Sequence, residues 1–128
     1  SPVSIPSTWA VNTETAIIYT IDAGLGLQNV SASFGVDNGI FVWLNGVFQG
    51  GHLRPGGASL GEFVLDLGML GAGTHHLQVL REDHGSATGY AVSVTGDPAA
   101  AVPLPAALPL FASALIGVGI LTRRRKTA

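Results

Sequence analysis

Between Ala99 and Thr122 the chain carries no charged residue, and then Arg123-Arg124-Arg125-Lys126 arrive together. Few sequence features restrict a fold as tightly, because an uncharged stretch closed by a block of cations suits a bilayer and its edge. A helix from Leu104 to Leu121 would span about 27 Å at about 1.5 Å per residue, close to the hydrocarbon core of a membrane. Its apolar side chains favour insertion by about 4 kcal/mol, at about −0.3 to −0.6 kcal/mol for each Leu, Ile, Val or Phe. Pro109, Ser113, Gly117 and Gly119 return part of that. The expectation is a single transmembrane helix at residues 104–122 with a basic tail at 123–128. Lys and Arg flanking a span stay on the cytoplasmic side, so everything ahead of Val102 is expected outside the cytoplasm. The prolines of Val102-Pro103-Leu104-Pro105 have no part in spanning, since proline belongs ahead of a helix rather than within it. A recognition motif accounts for them.

Residues 1–98 then suffice for one β-sandwich-sized unit and not for two domains. Arg54 and Arg81 against eight carboxylates leave the part before Val102 at −6, and the four cations of the tail bring the chain to −2. An acidic domain without lysine is a poor match for phosphate, so no nucleic-acid partner is expected. Behind an uncharged span, Arg123, Arg124, Arg125 and Lys126 read as a topogenic signal. The absence of cysteine excludes a disulfide, a thiolate nucleophile and a cysteine metal site. The sequence begins at Ser1-Pro2 without a basic-then-apolar leader; an exported domain needs one, and it is expected to have been removed or to lie ahead of the given sequence.

Residues 1–15, rich in Pro, Ser and Thr, read as an extended lead-in with Trp9 as its one large apolar anchor. From there on, short apolar runs alternate with glycine. Strands are expected at 16–22, 30–36, 40–44, 47–49, 62–67, 75–81 and 90–95, where β-branched and aromatic residues cluster or alternate with polar ones. Asp37-Asn38-Gly39 reads as a turn, Asn45-Gly46 as a two-residue hairpin turn, and 50–61 as a glycine-rich loop. Residues 97–103 are a linker with the proline motif. The expected fold is all-β: an antiparallel β-sandwich or jelly roll over 16–96, followed by the C-terminal transmembrane helix.

Catalytic chemistry finds little to work with. His75 and His76 are neighbours on an expected strand, where they point to opposite faces and cannot share one ion. His84 beside Asp83 offers a base and a carboxylate, but no nucleophile elbow is near, and solvated loop residues are the better reading. Arg54-Pro55-Gly56-Gly57 lacks the strand-to-helix context and lysine of a phosphate loop. A non-enzymatic protein with no required cofactor is expected. A calcium ion stays open at Asp37, Asn38 and Asp83, with Glu82 near; calcium takes about six to eight oxygens, and turn formation explains the same residues. For ligand binding the candidates are Trp43, Tyr90, His52 and Arg54, with Phe41 and Phe48 as further aromatics able to stack on sugar rings. Alternation sets Phe41 and Trp43 opposite Ile40, Val42 and Leu44; at least one of those faces must be core, and core packing is the favoured reading of these aromatics. Asn29-Val30-Ser31 matches a glycosylation sequon.

The tail, read as Val102-Pro103-Leu104-Pro105-Ala106, Leu110-Phe111-Ala112-Ser113-Ala114-Leu115, a glycine-containing apolar stretch and Arg123-Arg124-Arg125, resembles the PEP-CTERM sorting signals of bacterial exosortase substrates. The likeness is to the variant opening with VPLPA, with Leu104 where the Pro-Glu-Pro form has glutamate. That resemblance implies export by the general secretory route, retention in the inner membrane by the tail, and processing near residues 102–105 by an exosortase-type transpeptidase. The mature domain would reach the cell surface or the extracellular matrix of exopolysaccharide-producing, biofilm-forming Gram-negative bacteria. Residues 37–46 also look like the central hairpin of galactose-binding-like and PA14-like jelly rolls, and Gly71-Ala72-Gly73-Thr74-His75-His76-Leu77 like the start of their next strand. This second resemblance implies carbohydrate binding, with exopolysaccharide as the partner. A structural matrix or filament subunit, assembling through strand edges without a small ligand, is the alternative.

Overall fold

The computed structural model describes residues 4–101 and 113–116. Among them run six strands: β1 (Glu14–Asp22), β2 (Leu27–Leu44), β3 (Val47–Arg54), β4 (Phe63–Leu70), β5 (Thr74–Glu82) and β6 (Gly89–Pro98). Every pairing among them is antiparallel, and the domain they form is all-β. Residues 113–116 form a single helical turn. Among the described residues no helix is long and apolar enough to cross a membrane. The proline motif, most of the apolar stretch and the basic cluster lie outside the described residues.

The 18-residue β2 organises everything else. Its first part pairs with β4 on one side and β6 on the other, giving the sheet β4-β2-β6. Its second part lies between β5 and β3, giving the sheet β1-β5-β2-β3. One strand therefore serves two sheets, in a sandwich-like arrangement. The expected turn at Asp37-Asn38-Gly39 is corrected by this geometry. Asp37 pairs with Gly89, Asn38 with Arg54, and Gly39 with both Leu53 and Glu82, so the segment stays in the ladder. Its side chains show why turn residues are tolerated there. Asn38 Nδ2 and the Gly56 amide both donate to Asp37 Oδ1, and the His84 amide donates to Asn38 Oδ1. These residues hold neighbouring loops on the strand instead of reversing it. The Asp37–Asn38 peptide bond is cis.

Alternate residues of β2 fill the core: Val30, Ala32, Phe34, Val36, Ile40 and Val42 are at most 1% exposed. Ile17, Leu67, Leu70, Leu77, Val79 and Tyr90 close around them. Strand pleating sends their sequence neighbours to the outer faces. The hairpin at Asn45-Gly46 forms as expected, with φ of +51° and +80° at its two residues, the pattern that matches strand twist. The expected glycine-rich loop at 50–61 is shorter than read, because β3 continues through Gly50 and Gly51 to Arg54. The lead-in is part of the fold. Trp9 exchanges hydrogen bonds with Thr88, its amide donating to Oγ1 and its carbonyl accepting from it, while Pro6 accepts from Arg81 Nη1 at 2.8 Å.

Candidate functional site

The outer face of the β1-β5-β2-β3 sheet carries the domain's exposed aromatic cluster. Ile40 and Val42 are fully buried, so Phe41 and Trp43 between and beyond them point outward. A β-bulge then brings in a third ring. Val42 pairs with Gly50 but Trp43 pairs with Phe48, leaving Gln49 as the extra residue. In a regular hairpin Phe48 would share the inward side with Gly50; the bulge turns it out beside Trp43. There it stands 56% exposed. The Phe41 and Trp43 centroids are 6.5 Å apart with planes inclined by 44°, and those of Trp43 and Phe48 are 5.5 Å apart, inclined by 57°. Gly51, opposite Phe41, makes room for it: a Cβ there would lie 2.7 Å from Phe41 Cδ1.

Register extends this patch across all four strands. One row runs Ile18, Gln78, Trp43, Phe48, and the next Ala16, Leu80, Phe41, Gly51. Polar groups at the hairpin end are held in place. The Gly46 amide donates to Gln78 Oε1 at 2.9 Å, and the His76 amide to Asn45 Oδ1 at 2.9 Å. Asn45 Nδ2 lies 2.9 Å from His75 Nδ1. Two shallow depressions result. One of about 480 Å³ is lined by Ile18, Asn45, Gly46, His76 and Gln78, and one of about 460 Å³ by Phe41, Phe48, Gly51, His52 and Leu53.

Of the candidate ligand-binding residues, Trp43 and His52 border this face. His52 stacks on Phe63, centroids 5.5 Å apart and planes within 8°, with its Nε2 buried and unpartnered. Tyr90 lies elsewhere, 6% exposed in the core, its hydroxyl 3.1 Å from that of Tyr19. Burial is the main reason that its phenol is pushed well above the usual 10.0, and the hydrogen bond to Tyr19 adds to it. Arg54, at the end of β3, faces Glu62 with 3.9 Å between Nη1 and Oε1. Gln78, Asn45 and the outward side of Phe48 escaped the sequence reading. Gln78 was accessible to it, since Leu77 and Val79 claim the inward positions of β5; the bulge behind Phe48 leaves no comparable mark.

The calcium candidates meet in part. A Cβ at Gly85 would lie 3.4 Å from Asn38 Oδ1 and 3.6 Å from Asp83 Oδ1. Their oxygens serve the backbone, with Asp83 Oδ2 accepting from the Asn12 amide at 2.7 Å, while Asp83 Oδ1 is buried without a partner. Among the described residues no group of three or more His, Asp or Glu side chains is arranged to hold a metal. His84 does not pair with Asp83; its Nε2 lies 3.4 Å from Glu82 Oε2. Val102, Pro103, Leu104 and Pro105, with Arg123, Arg124, Arg125 and Lys126, fall outside the described residues. Comparison with known protein families, characterised proteins and solved structures gives no significant match.

Proposed function

We propose that this chain is an exported, non-catalytic surface or matrix protein that holds polysaccharide on the outer face of the β1-β5-β2-β3 sheet. In this reading the domain is a β-sandwich of jelly-roll kind, and residues 104–122 form one transmembrane helix. The proline motif ahead of that helix and the cations behind it complete an exosortase-type sorting signal. The observation that carries the binding half is the cluster of Phe41, Trp43 and Phe48 turned away from the core, with Phe48 more than half exposed. Exposed contiguous aromatics cost solubility and mark contact surfaces. Flat rings interleaved with fixed carboxamides suit sugars, which present apolar C–H faces and hydroxyls by turns. Trp43→Ala is expected to weaken retention on a polysaccharide matrix at least tenfold, about 1.4 kcal/mol, as read by pull-down with far-UV circular dichroism unchanged. A wild-type chain that is retained by no member of a broad glycan array would sink the binding half.

A second reading, a structural subunit joined through strand edges, draws on β1. That strand pairs with β5 over nine positions without a bulge, and its other edge is unpaired among the described residues. Between Glu14 and Asp22 it carries Thr15-Ala16-Ile17-Ile18-Tyr19-Thr20-Ile21, with no charge or proline to guard the edge. Sedimentation velocity over a hundredfold concentration range separates the two readings: assembly shows as a rising sedimentation coefficient, simple glycan binding as a constant one.

A further inference from the structure

We infer that the glycan held on this face is a neutral chain whose successive sugars turn relative to one another, rather than a flat crystalline ribbon or a polyuronate. The inference rests on the polysaccharide reading and narrows its ligand. Stacking requires a sugar's C–H face to lie parallel to the ring beneath it. The planes of Phe41, Trp43 and Phe48 are inclined by 44° and 57° from one to the next. A ribbon with coplanar sugars can therefore satisfy only one of these rings. A chain that rotates by tens of degrees between contacts can satisfy neighbouring rings in succession.

The track crosses the strands. Trp43 and Phe48 stand in one cross-strand row with Ile18 and Gln78, placing one depression on the β1–β5 side and the other on the β3 side. Four strands at about 4.8 Å spacing give roughly 14 Å from the first to the last, the scale of an oligosaccharide and not of a single sugar. Gln78 Oε1 is fixed by the Gly46 amide, so its Nε2 is presented in a set geometry with donors to spare. The imidazole of His76 is exposed beside it.

Charge decides between neutral and acidic chains. Neither depression is lined by Lys, Arg, Asp or Glu. By register the charges on the same face are carboxylates, Glu14 opposite Glu82 towards one end and Asp22 towards the other. A polyanion finds no cation there and meets repulsion from a domain of net −6.

The test uses the full 128-residue chain in a non-ionic detergent whose headgroup is not a sugar. Binding is measured by calorimetry to a soluble, helical neutral glucan and to alginate, and by co-sedimentation with microcrystalline cellulose. The glucan is expected to bind with little salt dependence, at least tenfold more weakly for Trp43→Ala and several-fold more weakly for Phe48→Ala and Gln78→Ala. Val64→Ala, at an exposed position of the other sheet, is expected to bind like the wild type. Cellulose or alginate bound as tightly as the glucan overturns the inference while leaving the polysaccharide reading in place. Binding to none of the three removes both. Dimers that Phe48→Ala dissolves would show this face to be covered by a second copy, and also overturn it.

Discussion

Arg81 is the largest fully buried side chain in the domain, 2% exposed, and among the described residues no carboxylate pairs with it. Aromatic faces take the place of an anion: its guanidinium sits 4.3 Å from the Trp9 ring centroid and 4.9 Å from that of Tyr90. Burial lowers its pKa, and the neighbouring Tyr90 and Tyr19 oppose that shift. Tyr90 responds in the other sense, and the consequence is measurable. Its folded-state pKa lies above the usual 10.0, so the unfolded chain loses this proton first as pH rises. The stabilisation is complete below that value and drains away above it, by about 1.4 kcal/mol per pH unit. Thermal unfolding midpoints are therefore expected to fall between pH 10 and 11, and Tyr90→Phe to flatten the slope while lowering stability near neutrality by about 1 kcal/mol. A second residue-scale prediction concerns Gly35. A Cβ there would come within 2.4 Å of backbone atoms of Ala58 and Ser59, so Gly35→Ala must push the 55–62 loop off the sheet. It is expected to cost about 3 kcal/mol in denaturant unfolding, the upper end of ordinary overpacking. Trp9 was legible from sequence as an anchor, being the one large apolar side chain in its segment. Its partner was not, because a lone arginine in a strand gives no sign that it faces inward.

At the scale of elements, sequence pattern located most strands within a few residues, since β-branched runs bounded by glycine follow directly from pleating and turn chemistry. The Asn45-Gly46 hairpin was read correctly for the same local reason. Failure came where tertiary pairing overrides local preference. Asp37-Asn38-Gly39 has the composition of a turn, yet partners on both sides keep it extended and make one strand of two. Gly50 and Gly51 look like loop and are strand, because Gly51 is the place where Phe41 must lie. The outward aromatic face thus depends on a bulge and a glycine whose roles appear only once β2 and β3 are side by side. β1 is the element with an open liability. Thr20→Lys places a charge in its uncharged run without touching the core, and edge charges deter strand addition. If β1 edges associate, the substitution is expected to abolish the concentration-dependent rise in sedimentation coefficient; a rise that persists assigns association to another surface.

For the whole molecule, charge is segregated along the chain: a domain at −6 precedes an uncharged stretch, and four cations close it. Among the described residues the core closes around β2. A β6 that ends at Pro98, followed by alanines, leaves the proline motif close behind the last strand. In the proposed reading, a processing enzyme at the membrane surface meets Val102-Pro103-Leu104-Pro105 between the domain and the expected span. The expected result in a host bearing an exosortase is a mature product ending within residues 102–105, read by intact mass spectrometry, and recovered outside the inner membrane. Pro103→Ala together with Pro105→Ala is expected to leave the chain uncut and in the inner-membrane fraction, since the span and the cations are untouched. Replacing Arg123, Arg124, Arg125 and Lys126 with glutamine acts at a different step. Without cytoplasmic cations the span loses its orienting signal, and part of the domain is expected to become cleavable by protease added to inverted vesicles; insertion in the original sense leaves it protected there and cleavable in spheroplasts. A wild-type product that ends at Ala128 in such a host would refute processing and leave the stretch as a lasting anchor.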